Sequence, residues 1–116
     1  DDVANWIPAR LTGVLIVCAG AIRSGWSTGR NAWTVMLRDA RSHRSPNAGW
    51  PEAAMAGALN LCLGGPRRYG EITVNEPVLN GAGRRGANAS DIGLALDRFW
   101  TAMTLLYLLT IIPVIL

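Results

Sequence analysis

The sequence predicts a mainly α fold: an integral membrane helical fragment with a cytoplasmic helical loop region and a short β-hairpin. Three observations lead there. Residues 99–116 run 18 positions without a charge, long enough for a transmembrane helix. Residues 11–22 form a second uncharged run, of 12, closed by Arg10 and Arg23. Between them, residues 23–98 carry ten Arg and six acidic side chains among Gly, Pro and Asn clusters, the composition of a polar connecting region.

Taken in order, the first membrane segment is assigned to residues 7–23. Twelve apolar residues are few for a span, but snorkelling of both Arg side chains and anchoring by Trp6 and Trp26 extend it; a re-entrant or core segment is the alternative. Ser27-Thr28 is placed as the cap of a helix over about residues 29–42, with Trp33, Met36, Leu37 and Ala40 on one apolar face. Pro46, Asn47 and Gly49 mark a turn. The next helix is predicted from Pro51 to the Gly64-Gly65-Pro66 stop, with Trp50 extended because it precedes proline. Ala53/Gly57 and Ala54/Ala58 are small-xxx-small pairs that permit close helix contact. Residues 69–74 and 76–79 are assigned to a hairpin, and residues 80–89, rich in Gly and Arg, to a mobile loop. Ser90 or Asp91 is expected to cap a last helix that runs unbroken into the membrane segment 97–116, with Asp97, Arg98 and Trp100 at its interfacial start.

The excess of Arg near both apolar segments places residues 24–96 in the cytoplasm by the positive-inside rule. If both segments span, both chain ends face the periplasm. That conflicts with any cytosolic role for Asp1 or Asp2, unless the first segment is re-entrant.

Composition excludes several chemistries. All 11 basic residues are Arg, and net charge is +3 without a dense basic stripe, so nucleic-acid binding is not expected. Cys18 and Cys62 lie in apolar runs with no C-x-x-C pair, and His43 is the sole histidine. Zinc sites and Ser-His-Asp or Cys-His nucleophiles therefore lack parts. No phosphate-binding glycine loop is present.

The string 43–70, HRSPNAGWPEAAMAGALNLCLGGPRRYG, together with the opening DDVANWIPARL, closely resembles the signature of the adenosylcobinamide-phosphate synthase (cobinamide synthetase) family of cobalamin biosynthesis. The resemblance makes residues 1–116 the C-terminal part of one membrane domain whose N-terminal part is missing, in a multi-pass protein of the bacterial inner membrane. It implies ATP-dependent amide-bond formation joining adenosylcobyric acid to aminopropanol or its phosphate, with ATP and magnesium as cofactors and the lipid bilayer as surroundings. Glu71 and Arg84-Arg85 depart from the family pattern at its edge. A non-enzymatic membrane scaffold or assembly subunit is the alternative that the residues alone leave open.

A helix starting at Pro51 offers free N–H groups to an anion, with Arg38, Arg41 and Arg44 close upstream to add charge-assisted bonds. Glu52 in its first turn favours a metal-bridged anion, because magnesium is commonly held by a carboxylate and substrate phosphates. A capped loop, in which Asn47 and Glu52 merely satisfy backbone donors, is the plainer reading. With the resemblance, the candidate catalytic residues are Asp2, Asp39 and Glu52, with Glu52 and Asp39 also as magnesium ligands. The candidate substrate-binding residues are Asn5, Arg10, Arg38, Arg41, His43, Arg44, Ser45, Asn47, Gly49, Trp50 and Tyr69, with Trp50 and Tyr69 lining the corrin.

Overall fold

The computed structural model describes residues 2–116. Helix α1 (Trp6–Ser24) ends where Gly25 takes φ 100° and its N–H bonds the Ala21 carbonyl at 2.9 Å. That turn sends α2 (Trp26–Asp39) straight back along α1: Gly29 lies against Ala21 near the junction, and Met36 against Gly13 further on. A 3-10 turn (Ala40–Ser42) closes α2.

Helix α3 (Gly49–Leu59) runs parallel to α1, with the Trp50 carbonyl beside Gly13 and Ala58 beside Gly20. Its approach to α2 depends on Gly57, where a Cβ would lie 2.7 Å from the Ala32 Cα. The core consists of Leu15, Ile16 and Ala19 from α1, Ala32, Val35 and Met36 from α2, and Ala53, Ala54 and Ala56 from α3. Small side chains on α3 let three backbones come close, so packing rather than large apolar volume holds the unit.

Strands β1 (Leu63–Tyr69) and β2 (Ile72–Leu79) pair antiparallel across Gly70-Glu71, with a bulge between Gly64 and Gly65. Leu79 closes the core from the hairpin, and the buried Asn80 side chain donates to the Ala56 and Leu61 carbonyls. Helix α4 (Ala89–Ile115) begins with a capping box between Asn88 and Asp91. It lies antiparallel to α1, with Asp97 bound to Arg23 at 3.0 Å and Arg98 to the Ser24 hydroxyl at 2.7 Å. Ala102 is buried, but most of the apolar side chains beyond it are exposed.

The mainly helical fold, the hairpin, the close contact through Ala53/Gly57 and the unbroken last helix match expectation. Several details do not. α2 starts at Trp26, and its buried face is Gly29, Ala32, Val35, Met36 and Ala40, whereas Trp33 and Leu37 point outward. Neither Ser27 nor Thr28 caps it; the Thr28 hydroxyl bonds back to the Ser24 carbonyl. α3 starts two residues before Pro51, so Trp50 is helical, and it ends at Asn60 in the left-handed region (φ 54°). Gly64-Gly65-Pro66, read as the helix stop, lies in β1. The hairpin turns at Gly70-Glu71 rather than near Asn75. Asn88, not Ser90, caps α4, with Asp91 as the reciprocal member. Residues 80–88 are held by backbone bonds from Cys62 to Arg84 and from Arg84 to Asn60.

Residues 24–96 are also not a loop separate from the first apolar segment, because α2 and α3 pack along α1 itself. Arg side chains fall at both ends of this unit. Arg23 and Arg98 stand where α1 ends, and Arg10, Arg38 and Arg44 at the opposite end. Charge alone therefore does not orient it.

Candidate functional site

The end of the unit where α1 and α3 begin gathers residues that are far apart in sequence. It is organised by the turn of residues 43–48. The Ser45 hydroxyl accepts from the Asn47 and Ala48 amides at 3.3 and 3.1 Å. These bonds close the turn just before α3; they do not involve the amides after Pro51, which the sequence reading had assigned to a substrate anion, and the helix itself has no side-chain cap. Gly49 fits because a Cβ there would run into the Ala40 carbonyl and lie 2.7 Å from the His43 Cβ.

Asn47 is buried and ties the chain start to this turn. Its Nδ2 donates to the Asp2 carbonyl at 2.9 Å, and its Oδ1 accepts from Arg10 at 3.4 Å. The Arg10 guanidinium is stacked 3.8 Å from the Trp6 ring centroid and 4.6 Å from that of Trp50. It also donates to the Trp6 carbonyl. Two indole faces and two hydrogen bonds satisfy the cation without a carboxylate. Arg10 and Asn47 are thereby structural clamps, and Trp50 serves Arg10 instead of facing the hollow described next.

Two hollows flank the turn. One, of about 330 Å3, is lined by Asp2, Asn5, Thr12, Ser45, Asn47 and Pro51. The other, of about 510 Å3, opens between the turn and the hairpin and is lined by His43, Arg44, Glu52, Arg67, Tyr69 and Glu76. In the larger hollow, His43 Nδ1 accepts the Ser45 N–H at 3.0 Å, and its Nε2 stands 3.0 Å from Glu52 Oε2. Arg44 pairs with Glu76 at 2.6 Å, which neutralises it. Arg67 has no such carboxylate partner among the described residues and is the hollow's free cation. The sequence reading missed Arg67 and Glu76. Arg67 stood within the family-like string, but only its place on β1, at the hollow that Glu52 also lines, marks it.

Arg38, Asp39 and Arg41 lie outside both hollows. Asp39 accepts two bonds from Arg38 at 2.9 Å and the Asn80 N–H at 2.7 Å. The Arg38 guanidinium holds the Asp39 carboxyl below the usual carboxylate range; burial opposes this and the Asn80 amide assists it. A carboxylate with these partners fastens α2 to β2. Arg41 is exposed at the end of the 3-10 turn. Among the described residues no three His, Cys, Asp or Glu side chains converge as a metal cage. Of the two carboxylates in the larger hollow, Glu76 is paired with Arg44, and Glu52 is the one more open to a ligand: half its side chain is exposed.

Fold and hollows together define a helical protein with a bare apolar helix and, at one end, a hollow that offers a carboxylate and a free guanidinium. Comparison with known proteins then places it. The CobD/Cbib protein family matches residues 1–99. The chain is 59% identical over 106 residues to the cobalamin biosynthesis protein CobD of Brucella suis biovar 1 (strain 1330), covering 91% of this chain and 32% of that one. It is 44% identical over 119 residues to the CobD protein of Rhizobium meliloti (strain 1021), covering 100% of this chain and 36% of the relative. The CobD protein of Rhodobacter capsulatus is 59% identical over 81 residues, covering 70% of this chain and 24% of its own. No solved structure matches. The chain belongs to the CobD/Cbib family, and spans about a third of the length of the curated relatives it matches.

Proposed function

We propose that this chain forms part of a membrane-embedded enzyme of cobalamin biosynthesis that joins adenosylcobyric acid to aminopropanol or its phosphate in an ATP-dependent amidation. The relatives' names support the pathway, and the hollow of about 510 Å3 beside Glu52 and Arg67 carries the site. In this reaction a phosphoryl group passes from ATP to the corrinoid carboxylate. The amine nitrogen then attacks the acyl carbon; the C–N bond forms, the C–O bond to phosphate breaks, and the amine loses a proton. Magnesium, held by Glu52 together with substrate phosphate oxygens, would neutralise phosphoryl charge. Arg67 binds an anionic oxygen, Arg44 and Glu76 shape the wall, and Tyr69 offers an exposed ring to the corrin. Of the sequence candidates for metal binding, Asp39 is spent on Arg38 and Asn80, which leaves Glu52.

The bare α4 is read as the segment inserted in the bacterial inner membrane, and the end bearing the hollows as facing the cytoplasm, where ATP is available. The scaffold alternative draws on a different observation. Apolar grooves of about 370 and 470 Å3 run along α1, against α2 and against α4, as a docking surface would.

In the full-length protein, Glu52→Gln and Arg67→Ala should each lower corrinoid amidation per inserted molecule on the order of 100- to 1,000-fold. Asn47→Ala should instead lower protein abundance and leave the activity of surviving molecules near normal. Near-normal specific activity in Glu52→Gln and Arg67→Ala would remove this hollow from the catalytic site, whereas a full-length protein with no amidation activity of its own would favour the scaffold.

A further inference from the structure

We infer that the end of the unit where α1 turns into α2 binds the anionic headgroup of a two-chain phospholipid, whose acyl chains lie in the two apolar grooves flanking α1. This rests on the reading of α4 as the membrane-inserted helix. Charge is unevenly matched at this end. Asp97 accepts from both Arg23 and Arg98, at 3.0 and 2.6 Å, so one carboxylate answers two guanidiniums. Arg30, one turn into α2, is exposed and has no carboxylate partner among the described residues. Asp91, two turns back along α4, is already paired with Arg84. Arg98 Nε is buried without an acceptor among the described residues. The cluster thus carries more positive charge and more donors than the protein itself answers. Trp26 and Trp100, 74% and 65% exposed, stand at the same end; exposed indoles beside Arg are what the headgroup level of a bilayer favours.

Both grooves lead away from this cluster along α1. The one of about 370 Å3, against α2, has Trp26 and Trp33 on its far wall and Arg30 between them. The one of about 470 Å3, against α4, is walled by Leu105, Leu109 and Ile112. Cys18 and Ala21 line both, so only a low ridge of small side chains divides the two channels. They span residues 14–21 and 15–22 of α1, roughly 11 Å each at 1.5 Å per residue. That depth suits one leaflet, half of a hydrocarbon core about 30 Å thick, and falls short of what a crossing helix would occupy. A cationic head site with two short apolar channels beneath it matches one anionic lipid with two chains.

The test uses the full-length protein, purified in a neutral detergent and stripped of lipid, with bound lipid counted by native mass spectrometry. Dioleoyl phosphatidylglycerol should bind at one per chain, about 10-fold more tightly than dioleoyl phosphatidylcholine. Arg30→Gln removes an exposed guanidinium that holds no carboxylate, and should reduce that preference about 5-fold. Cys18→Trp fills both grooves from an exposed position and should weaken both lipids about 10-fold or more. Arg41→Gln, at the opposite end, should change neither. Equal affinity for the two lipids, an undiminished preference in Arg30→Gln, or unchanged binding in Cys18→Trp would each overturn the inference. So would a failure of any lipid to bind; if Cys18 then also resists a lipid-soluble maleimide, a helix of the full-length protein covers the grooves instead. A full-length protein that stays in solution without detergent would end the reading of α4 as the membrane helix, and the lipid site would fall with it.

Discussion

α1 and α4 are both long and apolar enough to cross a membrane, yet a third of α1's most apolar stretch is buried by the rest of the protein, against 6% of α4's. The difference arises from their neighbours. α1 packs against α2, α3 and α4, so Leu15, Ile16, Val17 and Ala19 serve a protein core while Ile7, Leu11, Val14 and Ile22 stay exposed. α4 touches α1 through Ala102 and part of Met103, Leu105 and Leu106, and turns the remainder outward. Length and hydropathy qualify a helix for a bilayer; which partners cover it decides how it is used.

The sharpest way to break this comparison is to truncate one residue on each helix. Ile16 is 3% exposed, and Ile16→Ala should cost about 2–5 kcal/mol through lost burial and the cavity left behind. Leu109 is 60% exposed, and Leu109→Ala should cost less than about 0.5 kcal/mol. Heat or denaturant unfolding in detergent measures both, and equal losses would erase the distinction.

A charge on the bare helix sharpens the comparison from the other side. Leu109→Asp should disfavour bilayer insertion by about 3 kcal/mol, seen as loss of the chain from carbonate-washed membranes. Ile72→Asp, equally exposed at 68% but on the hairpin, should stay in the membrane fraction. If both partition alike, α4 is not the membrane helix.

The smallest expected effect concerns the fastening of α2 to β2 by Asp39. Its carboxyl is held below the ordinary range when folded, so near pH 4 the unfolded chain binds more protons. The stabilisation is then present above that pH and is lost as pH falls through the lower, folded value. Asp39→Asn should flatten the acid limb of a stability–pH profile, by at most about 1 kcal/mol. An unchanged acid limb would remove Asp39 from the fastening.

How much of this was legible in the sequence depended on range. Uncharged runs and the Ala53/Gly57 spacing report local chemistry, and they survived in the fold. The start of α3 was misplaced because Pro51 tolerates any position in the first turn, and Asn47 and Ala48 supplied carbonyls for Trp50 and Glu52 two residues earlier. Gly64-Gly65-Pro66 resembles a helix stop, but the left-handed Asn60 had already ended the helix, freeing the glycines to form a bulge. Among the site residues, the pairing of His43 with Glu52 and of Asp39 with Arg38 involves near neighbours in the chain. The sharing of a turn by Asp2, Arg10 and Asn47, and the approach of Arg67 from β1, are long-range outcomes of helix packing that no local pattern announces. The conflict over Asp2 disappears on the same ground. Because α3 runs parallel to α1, the start of the chain and the turn before α3 lie at one end.

The Asn47 clamp also bears on the order in which the molecule assembles. Ser45 bonds amides two and three residues away, a closure available to the turn almost as soon as it is made. Asn47 reaches the Arg10 guanidinium 37 residues back and the Asp2 carbonyl 45 residues back. Such contacts close much longer loops than the turn does and cost more entropy to form. A partly folded chain can thus display the closed turn while the groove between Asp2 and Asn47 does not yet exist. The smaller hollow exists only where the chain start and α1, which supply Asp2, Asn5 and Thr12, meet the turn before α3.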